Sequence, residues 1–271
     1  MGLLPDVPLP LGEHLDELRR RLVWPILLFA VVFVAAFNFD TELKQIFVQP
    51  LFHAVEIADG FTPGSSARAG IVLPQDGMKV FKTFALGESV SVSMSLSMWA
   101  GFALAIPFLV QQLYMFVAIG LKARERQLAF ILVPLAVICF YGGIAFGYYV
   151  GLPYMYAWFI QWQAQDPISE FVLQMSAYRD SFFFYTIMFG LLFDVPWAVV
   201  TICRVGLVTP DTLARYRRIV FMISTVVAAI IAPGDFFSMI ALMIPTYLLF
   251  EIGLLAARLV GGPRTKDPSH A

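Results

Sequence analysis

Residues 22–39 read LVWPILLFAVVFVAAFNF, an uncharged run of 18 residues held between Arg21 and Asp40. As a helix rising 1.5 Å per residue it is about 27 Å long, close to the roughly 30 Å hydrocarbon core of a bilayer. Five more runs of this kind follow. Together they predict spans at about 22–40, 92–114, 128–150, 181–203, 219–233 and 237–256. The chain is 59% hydrophobic and 14% charged over 271 residues, with a mean hydropathy of +0.78. A soluble domain is about 45–50% apolar and about 25% charged. Too little polar surface remains to cover a soluble body. A net charge of −1 excludes an electrostatic nucleic-acid binder. The expected fold class is all-α: a polytopic membrane protein of six transmembrane helices forming a concave bundle, with short spans five and six. Residues 1–258 are expected to form one membrane domain and 259–271 a disordered cytoplasmic tail.

The basic residues give an orientation. Arg19, Arg20 and Arg21 precede span one. Lys122, Arg124 and Arg126 lie between spans two and three, and Arg204, Arg215, Arg217 and Arg218 between four and five. Arg258, Arg264 and Lys266 follow span six. With six spans, 13 of the 18 basic residues share one side, and only Lys44, Arg68, Lys79, Lys82 and Arg179 lie on the other. The positive-inside rule puts both termini in the cytoplasm.

On the outer side, residues 41–57 mix apolar and charged positions and predict an interfacial helix bent at Pro50. Residues 58–70, rich in Gly, Ser and Pro, predict a mobile loop. Residues 71–84, with Pro74-Gln75-Asp76-Gly77 between apolar residues, predict a small hairpin. Residues 151–180 carry boundary aromatics such as Tyr154, Trp158 and Trp162. Cys139 and Cys203 sit in apolar runs and read as small buried hydrophobes. His14, His53 and His270 are scattered, and no Cys/His spacing suggests a metal or cofactor site. No P-loop, Gly-x-Ser-x-Gly or His-Glu-x-x-His motif is present.

Four acids stand out. In Glu13-His14-Leu15-Asp16-Glu17-Leu18-Arg19-Arg20-Arg21-Leu22, leucines at helical spacing form one face, and Asp16–Arg20 and Glu17–Arg21 pair at i,i+4. The segment reads either as a solvated amphipathic helix or as one offering the Glu17 carboxylate to a cationic partner. Glu125, the one acid among Lys122, Arg124 and Arg126, either balances local charge or serves a cationic ligand. A guanidinium, with its bidentate fork, would be held there better than an ammonium. Asp194 and Glu251 lie in or near spans, where an acid costs about 2.5–3.5 kcal/mol at the bilayer centre. Glu251 is near enough to the inner surface to pair with a loop arginine. Asp194 has no basic residue within the spans to pair with. Pro25, Pro107, Pro134, Pro196 and Pro245 all fall within spans and are expected to bend them.

These pieces resemble the TatC family, the multispanning receptor of the twin-arginine translocase. His14 to Leu22 resembles the family's N-terminal signature, and Gln49-Pro50-Leu51 its first outer-loop motif. Phe116-Val117-Ala118-Ile119-Gly120-Leu121 with Glu125-Arg126 is similar to the first cytoplasmic loop. Phe140-Tyr141 with Phe146-Gly147-Tyr148 resembles span three, and Phe189-Gly190-Leu191-Leu192-Phe193-Asp194-Val195-Pro196 span four. Ala232-Pro233-Gly234-Asp235 is similar to the last outer turn, and Ile244-Pro245 to Ile252-Gly253 to span six. The likeness covers roughly residues 12–258. Three departures accompany it. Ile119 stands where the family usually has proline, which is expected to loosen the loop. The span-four acid, often glutamate, is here the shorter Asp194. The outer stretch 58–80 is long and irregular.

The resemblance implies a receptor that binds Arg-Arg signal peptides at the cytoplasmic face. Glu17 and Glu125 would supply the carboxylates, and Arg19, Phe116 and Leu121 would shape the site. Asp194 would meet a mobile single-span partner, TatA or TatB. Pro50 and Asp235 would serve assembly or transport on the outer side. Implied partners are TatA and TatB subunits, signal peptides of folded cargo, membrane lipids and further copies of the chain in a larger complex. The resemblance implies no enzyme activity and no cofactor. It implies residence in the cytoplasmic membrane and transport driven by the proton-motive force. Span five, an uncharged run of about 24 Å, is short enough to thin the bilayer locally. Two alternatives stand beside this reading. One is a small secondary transporter with Asp194 as the coupling acid, which the missing internal repeat disfavours. The other is an intramembrane enzyme, which would need a nucleophile-base pair or a metal cluster at depth, whereas the spans contain no histidine.

Overall fold

The computed structural model describes residues 11–71, 81–118, 123–166, 168, 172–231 and 236–260. Eleven α-helices and one π turn follow in order: α1 (Leu11–Asn38), α2 (Asp40–Phe61), α3 (Ser65–Arg68), α4 (Glu88–Val117), α5 (Ala123–Phe146), the π turn (Gly147–Gly151), α6 (Leu152–Gln163), α7 (Met175–Phe193), α8 (Val195–Val205), α9 (Pro210–Arg215), α10 (Arg217–Ile231) and α11 (Phe236–Val260). Among the described residues the one extended pairing is an isolated parallel bridge between Lys82 and Gln174. The chain is all-α, as its composition requires. In a bilayer a helix satisfies every backbone group within its own segment, whereas an open sheet does not.

Among the described residues five helical stretches are long and apolar enough to cross a membrane: Arg19–Asn38, Glu88–Phe116, Ala129–Gln163, Met175–Val205 and Leu242–Leu259. The sixth, α10, has 15 residues and is about 22 Å long, well short of a hydrocarbon core of about 30 Å. The expected span three, 128–150, falls on a longer helical stretch, Ala129–Gln163. α5 runs through the π turn into α6. A π turn changes the hydrogen-bond ladder where it sits, and Pro153, which has no N–H to donate, lies two residues after it. Asp194 forms the joint between α7 and α8, with Pro196 in the first turn of α8, where a missing N–H is harmless. Gly206, at φ 85°, ends α8. There Leu207 N–H bonds Ile202 O and Gly206 N–H bonds Cys203 O, the paired closure that a left-handed glycine permits.

The chain divides into two compact units, Met1–Val137 with Ile160–Ser181, and Ile138–Phe159 with Phe182–Ala271. In the first unit α1 packs along α4, and α2 packs on α4. Residues 41–57 are helical as expected, within one helix that runs through Pro50. That helix buries Phe47, Val48, Pro50, Leu51, Ala54, Val55 and Ala58. Tyr178 closes over this face. Its hydroxyl donates to Phe47 O at 3.0 Å and its ring meets Phe47 edge-on at 4.7 Å. Glu88, at the start of α4, is buried. Its carboxylate accepts from the N–H of Phe84 at 2.8 Å and of Ser176 at 2.9 Å, joining segments 88 residues apart. Lys82 N–H to Leu173 O, at 3.0 Å, runs beside it.

The segment 58–70 is not the free loop its composition suggested. The Asp59 carboxylate accepts from the Ser65 hydroxyl at 3.1 Å, the Ser66 N–H at 2.9 Å and the Ser66 hydroxyl at 2.6 Å. Ser65, Ser66 and Ala69 are buried. The hairpin expected over 71–84 falls largely on residues outside the described set, and Lys82 pairs with Gln174 instead.

In the second unit Phe189, Leu192, Ala228 and Leu242 form the core, with Phe146, Met239 and Met243 against it. Gly143, Gly147 and Gly151 fall every fourth residue and admit the Phe189 side. A Cβ at Gly143 would lie 2.4 Å from Phe189 O, and one at Gly147 2.8 Å from the Phe189 Cβ. Small residues at this spacing let membrane helices approach closely. Gly253 does the same for α11 against α8, where a Cβ would meet Pro196 Cα at 2.6 Å.

Two tests follow from this packing. Gly143→Ala sets a methyl against an immovable carbonyl and should cost about 1–3 kcal/mol in detergent unfolding. Gly142→Ala, where a Cβ would meet nothing within 4 Å, should be neutral or slightly stabilising. Bonds from Ser66, then from Ser65, hold the Asp59 carboxyl below its ordinary value despite an opposing effect of burial. Its contribution to stability is therefore complete above the unfolded value of about 3.9 and is lost as pH falls through the lowered folded value. The thermal deficit of Asp59→Ala at pH 7 should shrink steadily as pH is lowered from about 4.

Candidate functional site

The first unit sets the register of α1 on α4. The Phe29 ring lies 4.7 Å from Phe102. Gly101 faces Phe29 so closely that a Cβ there would sit 2.9 Å from the ring. Asp40, eleven residues beyond Phe29, lies beside Ser93, eight residues before Gly101. The two helices therefore run antiparallel. At 1.5 Å per residue, Glu17 lies about 18 Å before Phe29 and Tyr114 about 20 Å beyond Gly101. The two positions are level at one end of the unit.

The connection from α4 to α5 lies at that end. The Tyr114 hydroxyl donates to the Arg126 carbonyl at 2.9 Å, and its ring stands 6.5 Å from Phe130. Glu125 is the third residue of α5, next to the carbonyl that Tyr114 holds. The backbones of Glu17 on α1 and Glu125 on α5 thus come to the same end of the unit. Arg19 is exposed on α1, and Phe116 is half-buried in the last turn of α4. Leu121 and Ile119 lie outside the described residues, as do Asp235 and residues 261–271. Pro50 is fully buried in α2.

In the second unit Asp194 caps the α7–α8 joint without a side-chain bond to α8. Its Oδ1 is buried with no hydrogen-bond partner among the described residues, and so are the Oγ1 atoms of Thr186 and Thr201 on the same span. A buried polar atom without a partner is costly and calls for an external one, whether water or a polar group of another helix. Glu251, by contrast, is paired. Its carboxylate accepts from Arg217 at 2.8 Å and from the Tyr247 hydroxyl at 3.0 Å. The sulfur of Met243 meets the Thr225 hydroxyl at 3.1 Å. This fixes α10 antiparallel to α11, with the ion pair at one end of the short span. Arg217 is thus the loop arginine expected for Glu251, whereas Tyr114, whose bond reaches another helix, carries no signal in the sequence. Among the described residues no group of His, Cys, Asp and Glu is arranged to hold a metal.

A family model described as Sec-independent protein translocase protein (TatC) matches residues 13–245. The chain belongs to the TatC family. A TatC of Halothiobacillus neapolitanus is 32% identical over 250 residues, 90% of this chain and 61% of the relative, so the chain spans under two thirds of that protein's length. A TatC of Deinococcus radiodurans is 30% identical, over 92% of this chain and 86% of the relative. One of Desulforapulum autotrophicum is 29% identical, over 97% and 89%. A crystal structure of a twin-arginine translocase receptor TatC superposes with a TM-score of 0.64 at 24% identity, covering 91% of this chain and 98% of that one. The fold is that of TatC, a six-span membrane protein.

The Arg217–Glu251 bond lies between side chains 45% and 24% exposed, so solvent screens much of it. A double-mutant cycle with Arg217→Ala and Glu251→Ala should give a coupling of about 0.5–1 kcal/mol in detergent unfolding, falling as salt is raised.

Proposed function

We propose that this TatC-family chain is the receptor subunit of a twin-arginine translocase. It binds the consecutive arginines of signal peptides at the cytoplasmic face and gathers TatA-type single-span subunits, with or without a TatB. Folded cargo then crosses under the proton-motive force, with no covalent chemistry on the cargo. Both termini lie in the cytoplasm, residues 1–258 act as one membrane domain, and several copies work in a larger complex in the cytoplasmic membrane.

The supporting observation is the level placement of the α1 backbone at Glu17 with the α4–α5 connection that leads to Glu125. Two carboxylates at one membrane surface suit two adjacent guanidinium groups. Each planar fork takes two parallel bonds from a carboxylate, which an ammonium does not supply. Arg19, Phe116 and Leu121 are proposed to shape this site. Asp194, with an unpartnered carboxyl oxygen, is proposed to meet a polar group of the incoming partner helix. Pro50 and Asp235 are proposed to serve assembly from the outer side. Family membership favours this reading over a small-solute carrier built on Asp194.

The test is binding of the purified chain in detergent to an Arg-Arg signal peptide and to its Lys-Lys counterpart. Charge-assisted hydrogen bonds contribute about 1.5–3 kcal/mol each, so Glu17→Ala or Glu125→Ala should weaken Arg-Arg binding about tenfold or more. Equal binding of both peptides, unaffected by either substitution, would overturn the proposal. Solute uptake into liposomes by the chain alone, abolished by Asp194→Asn, would favour the carrier instead.

A further inference from the structure

We infer that Tyr114 is a positioning residue for arginine recognition: its hydroxyl, by holding the Arg126 carbonyl, sets where the start of α5, and with it Glu125, stands relative to the ends of α4 and α1. This rests on the receptor reading above.

The tie is specific. Tyr114 and Arg126 are 12 residues apart, on either side of the α4–α5 connection, and their bond is 2.9 Å long. The Arg126 carbonyl belongs to α5 and already accepts the helical bond expected from the N–H four residues on. The tyrosine therefore fills no orphaned acceptor. It uses the carbonyl's second lone pair, and the result is a link between two helices. The Tyr114 ring against Phe130, one turn further along α5, keeps the hydroxyl aimed at the first turn.

The residue type at position 119 bears on the same link. Proline would lock φ near −65° in this loop, and Ile119 does not. The helix α4 has α1 as its long packing partner, so α4 carries the level of Glu17. The hydroxyl passes that level to α5. Recognition of two guanidinium forks is sensitive to the separation of their acceptors in a way that binding of a diffuse positive charge is not. Loosening the tie should therefore affect Arg-Arg more than Lys-Lys.

The experiment is Tyr114→Phe in the full chain in detergent, which removes one oxygen and keeps the ring. Three readouts are taken: affinity for the Arg-Arg and Lys-Lys peptides, the thermal unfolding midpoint, and the distance distribution between nitroxides at Met115 and Gln127, both exposed. The expected result is Arg-Arg affinity about fivefold weaker, as for loss of one hydrogen bond. Lys-Lys affinity and the unfolding midpoint should be unchanged and the distance distribution broader. Adding Ile119→Pro to Tyr114→Phe should narrow the distribution and restore affinity. Unchanged Arg-Arg affinity would overturn the inference. So would a loss shared equally by both peptides, with a lowered midpoint and no rescue, because the bond would then serve stability alone. If the wild-type chain does not discriminate between the peptides, the receptor reading fails by itself. The spin-label distances then decide, and an unbroadened distribution in Tyr114→Phe would overturn the positioning role too.

Discussion

The close approach of Phe29 to Gly101 governs the first unit. The absent Cβ lets the ring lie against the α4 backbone, and Phe102 closes it from the side. Water-driven burial offers little to pull helices together in hydrocarbon, so close packing at small residues must do it. This contact fixes register as well as adhesion, and register decides which residues share a membrane surface. With Asp40 beside Ser93 at the other end, Glu17 and Tyr114 have little freedom to be anything but level. The α4–α5 connection, and Glu125 after it, then falls at the same end.

The second unit repeats the principle with other residues. Glycines at 143, 147 and 151 receive Phe189 and its neighbours, and Gly253 receives Pro196. Polar groups complete the packing in two opposite ways. Glu251 accepts from Arg217 on α10 and from Tyr247 on its own helix, which links the short α10 to α11. Asp194 sits at a helix joint with one buried oxygen unengaged. The first is an internal fastening. The second has no hydrogen-bond partner among the described residues.

Local pattern made much of this legible. The uncharged run 22–39 reads as a span, Pro196 as a bend in span four, and Glu251 lies close enough to the helix end to find an arginine. What stayed hidden depended on distant partners. Gly151 and Pro153 read as a stop because those residue types usually end helices. The continuation lies in a π turn and in Phe189 packed against the glycines, 38 residues on from Gly151. Residues 58–70 read as mobile because Gly, Ser and Pro dominate them, yet Asp59 gathers Ser65 and Ser66. Glu88 has no signal in the sequence, because its partner Ser176 lies 88 residues away. In the candidate site Glu17, Arg19, Phe116 and Glu125 were named from motif likeness. Tyr114 was not, because its bond to Arg126 leaves no periodic trace in the sequence.

The central claim is that one ligand, a pair of arginines, lies between the start of α1 and the α4–α5 connection. Its most direct test is photo-crosslinking of the full chain to a signal peptide carrying a benzophenone residue next to the Arg-Arg pair, with the adducts mapped by mass spectrometry. The account predicts adducts on both residues 14–21 and residues 113–127, lost when Lys-Lys replaces Arg-Arg. Adducts confined to one of these segments, or found instead near Asp194 or the outer segments, would contradict it.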